Sequence, residues 1–178
     1  ADRIEQVMKL LVTGGAGFMG SNFIRYILAT YPDYTVVNLD KLTYAGNPAN
    51  VKDVENNPRY RFIRGDIADE AVVASAMQGV DVVVNYAAET HVDRSIFDSK
   101  AFILTDVLGT YTLLEAVRAQ KIPRFIQIST DEVFGSIADG VFSETSPFEP
   151  NSPYAASKAG GDHLCRAYVK TYNAPIIV

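Results

Sequence analysis

Two adjacent carboxylates, Asp131 and Glu132, stand where the apolar run of "RFIQISTDEVFG" ends. Neighbouring acids suit paired general acid and base work when one is neutral and the other charged. Crowding two of them in a desolvated site raises one pKa and supplies such a pair. Further along, "YAASK" sets Tyr154 and Lys158 four residues apart at the start of a helical pattern, hence on one face. An ammonium beside a phenol lowers the phenol's pKa and favours tyrosinate, a base able to take a proton from an alcohol.

A second constellation lies near the start of the chain. "LLVTGGAGFMGSNFIRYI" runs from strand to glycine turn to helix. Gly15, Gly17 and Gly20 fit G-x-G-x-x-G, while Gly14, Gly17 and Gly20 fit the related G-x-x-G-x-x-G. Such glycines let the backbone turn tightly and approach a pyrophosphate, which sits on the helix N-terminal amides. Asp40 closes the second strand in "VVNLDKL", placed to accept hydrogen bonds from an adenosine ribose. A carboxylate there repels a 2′-phosphate, so NAD is favoured over NADP, with Lys41 next door working the other way. Asp66 and Ile67 follow the third strand, where an adenine edge could be read, and Ala87 and Ala88 follow the fourth. The two alanines are small enough for a dinucleotide to lie against. With this cofactor, the alcohol proton leaves to Tyr154 as hydride leaves to a nicotinamide.

These residues need a frame, and the chain's rhythm predicts one. Short apolar runs ("VMKLLVT", "YTVVNL", "YRFIR", "VDVVVNY", "RFIQIS", "APIIV") alternate with helical stretches. That alternation is the mark of βαβ units and an α/β, doubly wound parallel sheet of Rossmann type. Near-continuous apolar strands fit a sheet buried on both faces. The predicted helices are "FMGSNFIRYILATY", "DEAVVASAMQG", "SKAFILTDVLGTYTLLEAVRAQ" and "SPYAASKAGGDHLCRAYVKTY". Ser152 or Asn151 would cap the last, with Pro153 near its first position.

Composition removes several function classes. The 178 residues are 48% hydrophobic and 21% charged, which suits a single globular domain. A net charge of −5 with no basic block leaves nucleic acid without an electrostatic footprint. No apolar run is long enough to span a bilayer, so no membrane role is expected. One cysteine and two histidines make no zinc site, and no metal is expected. The polar first residues are unlike a signal peptide, and the expected location is the cytoplasm.

The segments "TGGAGFMG", "STDEVFG" and "YAASK" resemble the extended short-chain dehydrogenase/reductase superfamily. Within it, "LDKLTYAGN", "AAETHVDRSI" and "STDEVFG" are similar to the dTDP-glucose 4,6-dehydratase family, over nearly all of the chain from Met8. The resemblance implies that Tyr154, helped by Lys158, deprotonates the glucose 4-hydroxyl as C4 gives hydride to NAD. It implies Glu132 as base at C5, Asp131 as acid at the departing C6 hydroxyl, and hydride return to C6. It places Thr130 near O4 of the sugar and His91 near the sugar, although helix entry or packing is an equal account of His91. It adds Phe18, Met19, Lys41, Leu42, Thr43, Thr90 and Thr105 to Gly14, Gly17, Gly20, Asp40, Asp66, Ile67, Ala87 and Ala88 as the cofactor's lining. It further implies a nucleotide-sugar substrate, deoxysugar (rhamnose-type) biosynthesis and a homodimer joined through four helices.

Two positions depart from that family. Asp106 replaces the usual Asn of "TNxxGT", a residue thought to shape its helix and support the tyrosine through water. Met19 replaces a common Ile. The resemblance also divides the chain into a leader, 1–7, and a dinucleotide-binding domain, 8–178, that carries the catalytic residues. The substrate-binding C-terminal domain of the family is expected to be missing, with the sixth strand cut short. Two other readings remain: another epimerase, dehydratase or decarboxylase of nucleotide sugars, or an NAD-sensing domain without catalysis.

Overall fold

The computed structural model describes residues 7–178; most of the expected leader, 1–6, lies outside the described residues. Six parallel strands form one sheet in the order β3-β2-β1-β4-β5-β6. They are β1 Met8–Thr13, β2 Tyr34–Asp40, β3 Tyr60–Arg64, β4 Val82–Asn85, β5 Arg124–Gln127 and β6 Ile176–Ile177. The chain builds outward from β1 to β3, then returns to place β4 on the other side of β1. That reversal leaves a crevice at the carboxyl ends of β1 and β4, where such sheets bind ligands. The expected doubly wound α/β architecture is the one observed.

Alternation along the strands sorts the core into two layers. Leu11, Val83 and Phe125 face one side, against α2 (Glu70–Ala76), α5 (Thr110–Gln120) and α6 (Pro153–Tyr172). Leu10, Val12 and Val84 face the other, against Ile24, Ile27 and Leu28 of α1 (Phe18–Thr30). Both faces are covered, which is why the strands read as near-continuous apolar runs. The α6 cap is Ser152, whose hydroxyl oxygen accepts from the Ala155 amide at 3.0 Å, and Pro153 opens the helix. α5 and α6 both stop on left-handed residues, Lys121 and Asn173.

The structure differs from expectation in two places. The segment after β4 carries a further helix, α3 (Val92–Phe97), entered through His91 at φ +72°. The long helix expected over 99–120 is divided: α4 (Ser99–Phe102), a π-helical segment Ile103–Gly109, then α5. Apolar periodicity reports a helix but not which carbonyl each amide bonds, so a π segment inside it is not legible from the pattern. The two acids beyond β5 sit on a 3₁₀ turn, Asp131–Phe134, at the strand end where they were expected.

Candidate active site

The glycine turn has a steric cause. Gly14 lies at φ +66°, and a Cβ there would come 2.7 Å from the Ala87 amide nitrogen. A Cβ on Gly20 would come 2.5 Å from the Gly14 carbonyl oxygen, closing the approach of α1 to the turn. α1 begins without a side-chain cap and without an acid in its first turn, so its N-terminal amides face the crevice. Such amides could hold a pyrophosphate.

The crevice is a cleft of about 500 Å³ over the carboxyl ends of the strands. Gly14, Gly17, Phe18, Met19 and Gly20 line one end, then Asp40, Lys41, Thr43, Asp66 and Ile67, then Ala87, Ala88, Thr90, His91 and Thr105. Ser129, Tyr154 and Lys158 close the other end. Leu42 is not in the lining. It takes a left-handed φ of +58°, and its amide donates to Asp40 Oδ1 at 2.7 Å.

Asp40 is buried, and its Oδ2 also accepts the Ala16 amide at 2.8 Å. Each carboxylate oxygen keeps a second lone pair for a ribose hydroxyl. Lys41 Nζ lies 2.6 Å from Asp66 Oδ2, so the cation that could have welcomed a 2′-phosphate is already engaged. Burial opposes ionisation of Asp66, yet the Ala68 amide and Lys41 hold its carboxyl below the usual range. Uncapped helix amides, a buried ribose acid and a neutralised lysine fit NAD.

Over the middle of the cleft, the Tyr44 hydroxyl donates to the Thr90 carbonyl at 2.8 Å and accepts the Thr90 amide at 2.9 Å. The Arg94 guanidinium stacks 3.6 Å above the Tyr44 ring. His91 lines the cleft at the entry to α3 and makes no side-chain cap. Glu89, which carries no assignment from sequence, is buried among these groups. Burial pushes its carboxyl up against the pull of Arg94, Lys41 and the Tyr44 hydroxyl. Its one sequence signal was an acid in an otherwise small-residue strand end.

At the other end of the cleft, Tyr154 and Lys158 do share one face of α6, but not the expected electrostatics. Lys158 is buried, and its Nζ donates to the Ile128 carbonyl at 2.6 Å. Desolvation lowers the Lys158 pKa, against the raising pull of Asp106 and Asp162. Tyr154 is raised, first by burial and then by the charges of Glu132, Asp106 and Asp131, while a hydrogen bond from Thr130 pulls the other way. The expected lowering of the phenol by its lysine is not found in this chain: burial and the charges of Glu132, Asp106 and Asp131 raise it, and the ammonium is turned to a backbone carbonyl.

Thr130 caps the 3₁₀ turn, its hydroxyl oxygen accepting the Glu132 amide at 3.3 Å. Asp131 and Glu132 are exposed on that turn. The desolvation expected around the acid pair is absent from the chain by itself, and a bound sugar would have to provide it. Beneath the site, a buried relay crosses three strand ends. The Thr13 hydroxyl donates to Asn85 at 2.5 Å, and the Asn85 amide donates to Gln127 at 2.8 Å.

The comparisons with known proteins bear on this geometry. Residues 11–178 match the GDP-mannose 4,6 dehydratase family. The chain belongs to this family. It is 51% identical, over 96% of its length, to the low-salt glycan biosynthesis protein Agl12 of Haloferax volcanii, covering 55% of that protein. It is 49% identical to a dTDP-glucose 4,6-dehydratase of Streptomyces niveus, over 96% of this chain and 52% of the other. Among solved structures, dTDP-glucose 4,6-dehydratase of Streptomyces venezuelae with NAD bound superposes with a TM-score of 0.92 at 53% identity. That match covers 95% of this chain and 54% of the Streptomyces chain. The chain spans about half the length of the curated relatives it matches. The glycine turn and Tyr154–Lys158 line one crevice, while Thr130, Asp131 and Glu132 stand outside its lining, on and beside the 3₁₀ turn that follows β5. Among the described residues no group of His, Cys, Asp or Glu could hold a metal ion, and no helix is long and apolar enough to cross a membrane.

Proposed function

We propose that the protein is an NAD-dependent dTDP-glucose 4,6-dehydratase, a hydro-lyase that converts a nucleotide-activated glucose to its 4-keto-6-deoxy form, as in rhamnose-type deoxysugar biosynthesis. The observation that carries this reading is the Asp131–Glu132 turn beside Tyr154, three ionisable groups within each other's field at the end of β5. An oxidoreductase that stopped at the ketone needs the tyrosine alone. A water elimination needs a base and an acid as well.

The α1 amides would hold the pyrophosphate and Asp40 the adenosine ribose. Bound NAD supplies a hydride acceptor and, later, a hydride donor. Tyr154 takes the proton of the sugar's 4-hydroxyl, and Thr130 orients that oxygen. Lys158 anchors the base of α6 to the end of β5 through Ile128. With a ketone at C4 the C5 hydrogen is acidic, and Glu132 removes it. Asp131 protonates the C6 hydroxyl as water leaves. Closure of the sugar over the turn would exclude water from both carboxyls.

The homodimer is part of the same reading. Ile103, Leu104, Leu108 and Tyr111 are exposed on the π segment and the start of α5, an apolar stripe that a second copy would cover. Incubating the full-length protein with dTDP-glucose and NAD, and resolving the sugar product by mass, tests the activity. Loss of one water with a 4-keto product is expected; unchanged dTDP-glucose, or a C4 epimer, would sink the reading.

A further inference from the structure

Asp106 is a buried carboxylate that the reaction above leaves unused; it is 3% exposed. It stands in the π segment, and α6 presses close there because a Cβ on Gly161 would come 2.9 Å from the Asp106 carbonyl oxygen. Its Oδ1 accepts the Glu89 amide at 3.0 Å. Its Oδ2 lies 2.7 Å from Ser157 Oγ, and that same Oγ lies 2.8 Å from the Tyr154 carbonyl oxygen.

A hydroxyl has one hydrogen. If Asp106 is ionised, Ser157 meets two pure acceptors and can donate to one; the other contact brings two oxygens together with nothing between them. If Asp106 carries a proton on Oδ2, the count closes. Its O–H donates to Ser157, Ser157 donates to the Tyr154 carbonyl, and Oδ1 still accepts from Glu89. An asparagine with its NH₂ toward Ser157 closes the same count.

The charged and titratable groups around Asp106 are Lys158 and Tyr154 on α6 and Glu89 in the turn after β4. Lys158 favours the carboxylate and Glu89 the acid. Burial outweighs the attractions and pushes Asp106 up to about 6.

We propose that Asp106 is a proton-carrying positioning residue. As the neutral acid it seats Ser157, and with it the first turn of α6 that bears Tyr154; on ionising it releases that seat and sets a negative charge beside the phenol and Lys158. The proton is a property of the fold, whereas its effect on turnover rests on the dehydratase reading. A charge at 106 makes Tyr154 harder to ionise. The rise of activity with pH is therefore displaced upward by Asp106, and a neutral residue of the same shape moves it back.

The test uses full-length protein labelled with ¹³C at the aspartate carboxyls, alongside Asp106→Asn. One carboxyl resonance titrating near pH 6 is expected, and it should vanish in the variant. If the resonance lost in the variant titrates in the ordinary carboxylate range, near pH 4, the proposal is overturned. In an active enzyme, the acid limb of the kcat/KM profile should move to lower pH in Asp106→Asn, and coincident profiles overturn the coupling to Tyr154. Asp106→Ala, which leaves both Ser157 and the Glu89 amide without their partner, should lower kcat where Asp106→Asn restores it. Should neither protein act on dTDP-glucose, the dehydratase reading fails and the resonance alone decides the fate of the proton.

Discussion

Lys158 and Ile128 are joined by a 2.6 Å hydrogen bond from the buried ammonium to the first carbonyl past β5. The lysine thus ties the helix that carries the tyrosine to the strand that carries the carboxylates. Its contribution to Tyr154 is positional before it is electrostatic, because burial and three carboxylates raise the phenol regardless.

Tyr154→Phe should lower kcat by about 10²–10⁴-fold, the usual worth of a positioned proton acceptor. The ring's edge-on packing against Phe102 survives the change, so folding and NAD affinity should hold. Stopped-flow turnover with calorimetric NAD binding would check both halves. Wild-type-like kcat would remove Tyr154 from the chemistry.

The acid pair separates by isotope. Glu132→Gln should abolish exchange of the substrate's C5 hydrogen with solvent deuterium. Asp131→Asn should keep that exchange and slow water loss by about 10²–10⁴-fold. Mass spectrometry of recovered sugar reads both, and the opposite pattern would exchange the two roles.

Asp40→Ala removes the acceptor for the Ala16 and Leu42 amides as well as for a ribose. Hydrogen bonds to a charged group contribute roughly 1.5–3 kcal/mol, so NAD affinity should fall by about tenfold or more. NADP should lose less, because a repulsive carboxylate has also gone. Titration calorimetry with both coenzymes measures the ratio, and an unchanged preference would mean that Asp40 does not select.

Stability should respond to pH through Asp106. Its folded pKa, about 6, exceeds the ordinary aspartate value of 3.8, so the acid form is favoured by folding. That contribution is complete below the unfolded value and is lost as pH rises through the folded one. Asp106→Asn has no such loss. The variant should match the wild type near pH 4 and exceed it above pH 7 by on the order of 3 kcal/mol. Urea unfolding across that range would show the gap opening, and a constant difference would contradict it.

Leu108→Glu puts a charge in the middle of the exposed stripe of Leu104, Leu108 and Tyr111. Light scattering should show the proposed dimer falling to monomers while circular dichroism stays unchanged. A wild-type mass would place the interface elsewhere.

Much of this site was legible in residue order. The glycine turn is local: its steric demands lie within one strand, one turn and one helix, so spacing reports them directly. Tyr154 and Lys158 share a face by helical geometry alone. The strand count followed because a sheet covered on both faces makes every strand apolar.

What residue order could not carry is any contact between elements that meet only after folding. Asp106 meets the Glu89 amide, 17 residues away, and the Ser157 hydroxyl, 51 residues away, because the π segment, the turn after β4 and α6 converge behind the cleft. The pairing of Lys41 with Asp66 depends on β2 and β3 ending side by side. The aim of the Lys158 ammonium depends on where β5 stops. The sequence by itself determined which chemical groups the protein owns and which strand ends they stand on. Their protonation and their partners were decided by the tertiary structure, since burial and through-space distance, which set both, are absent from the order of residues.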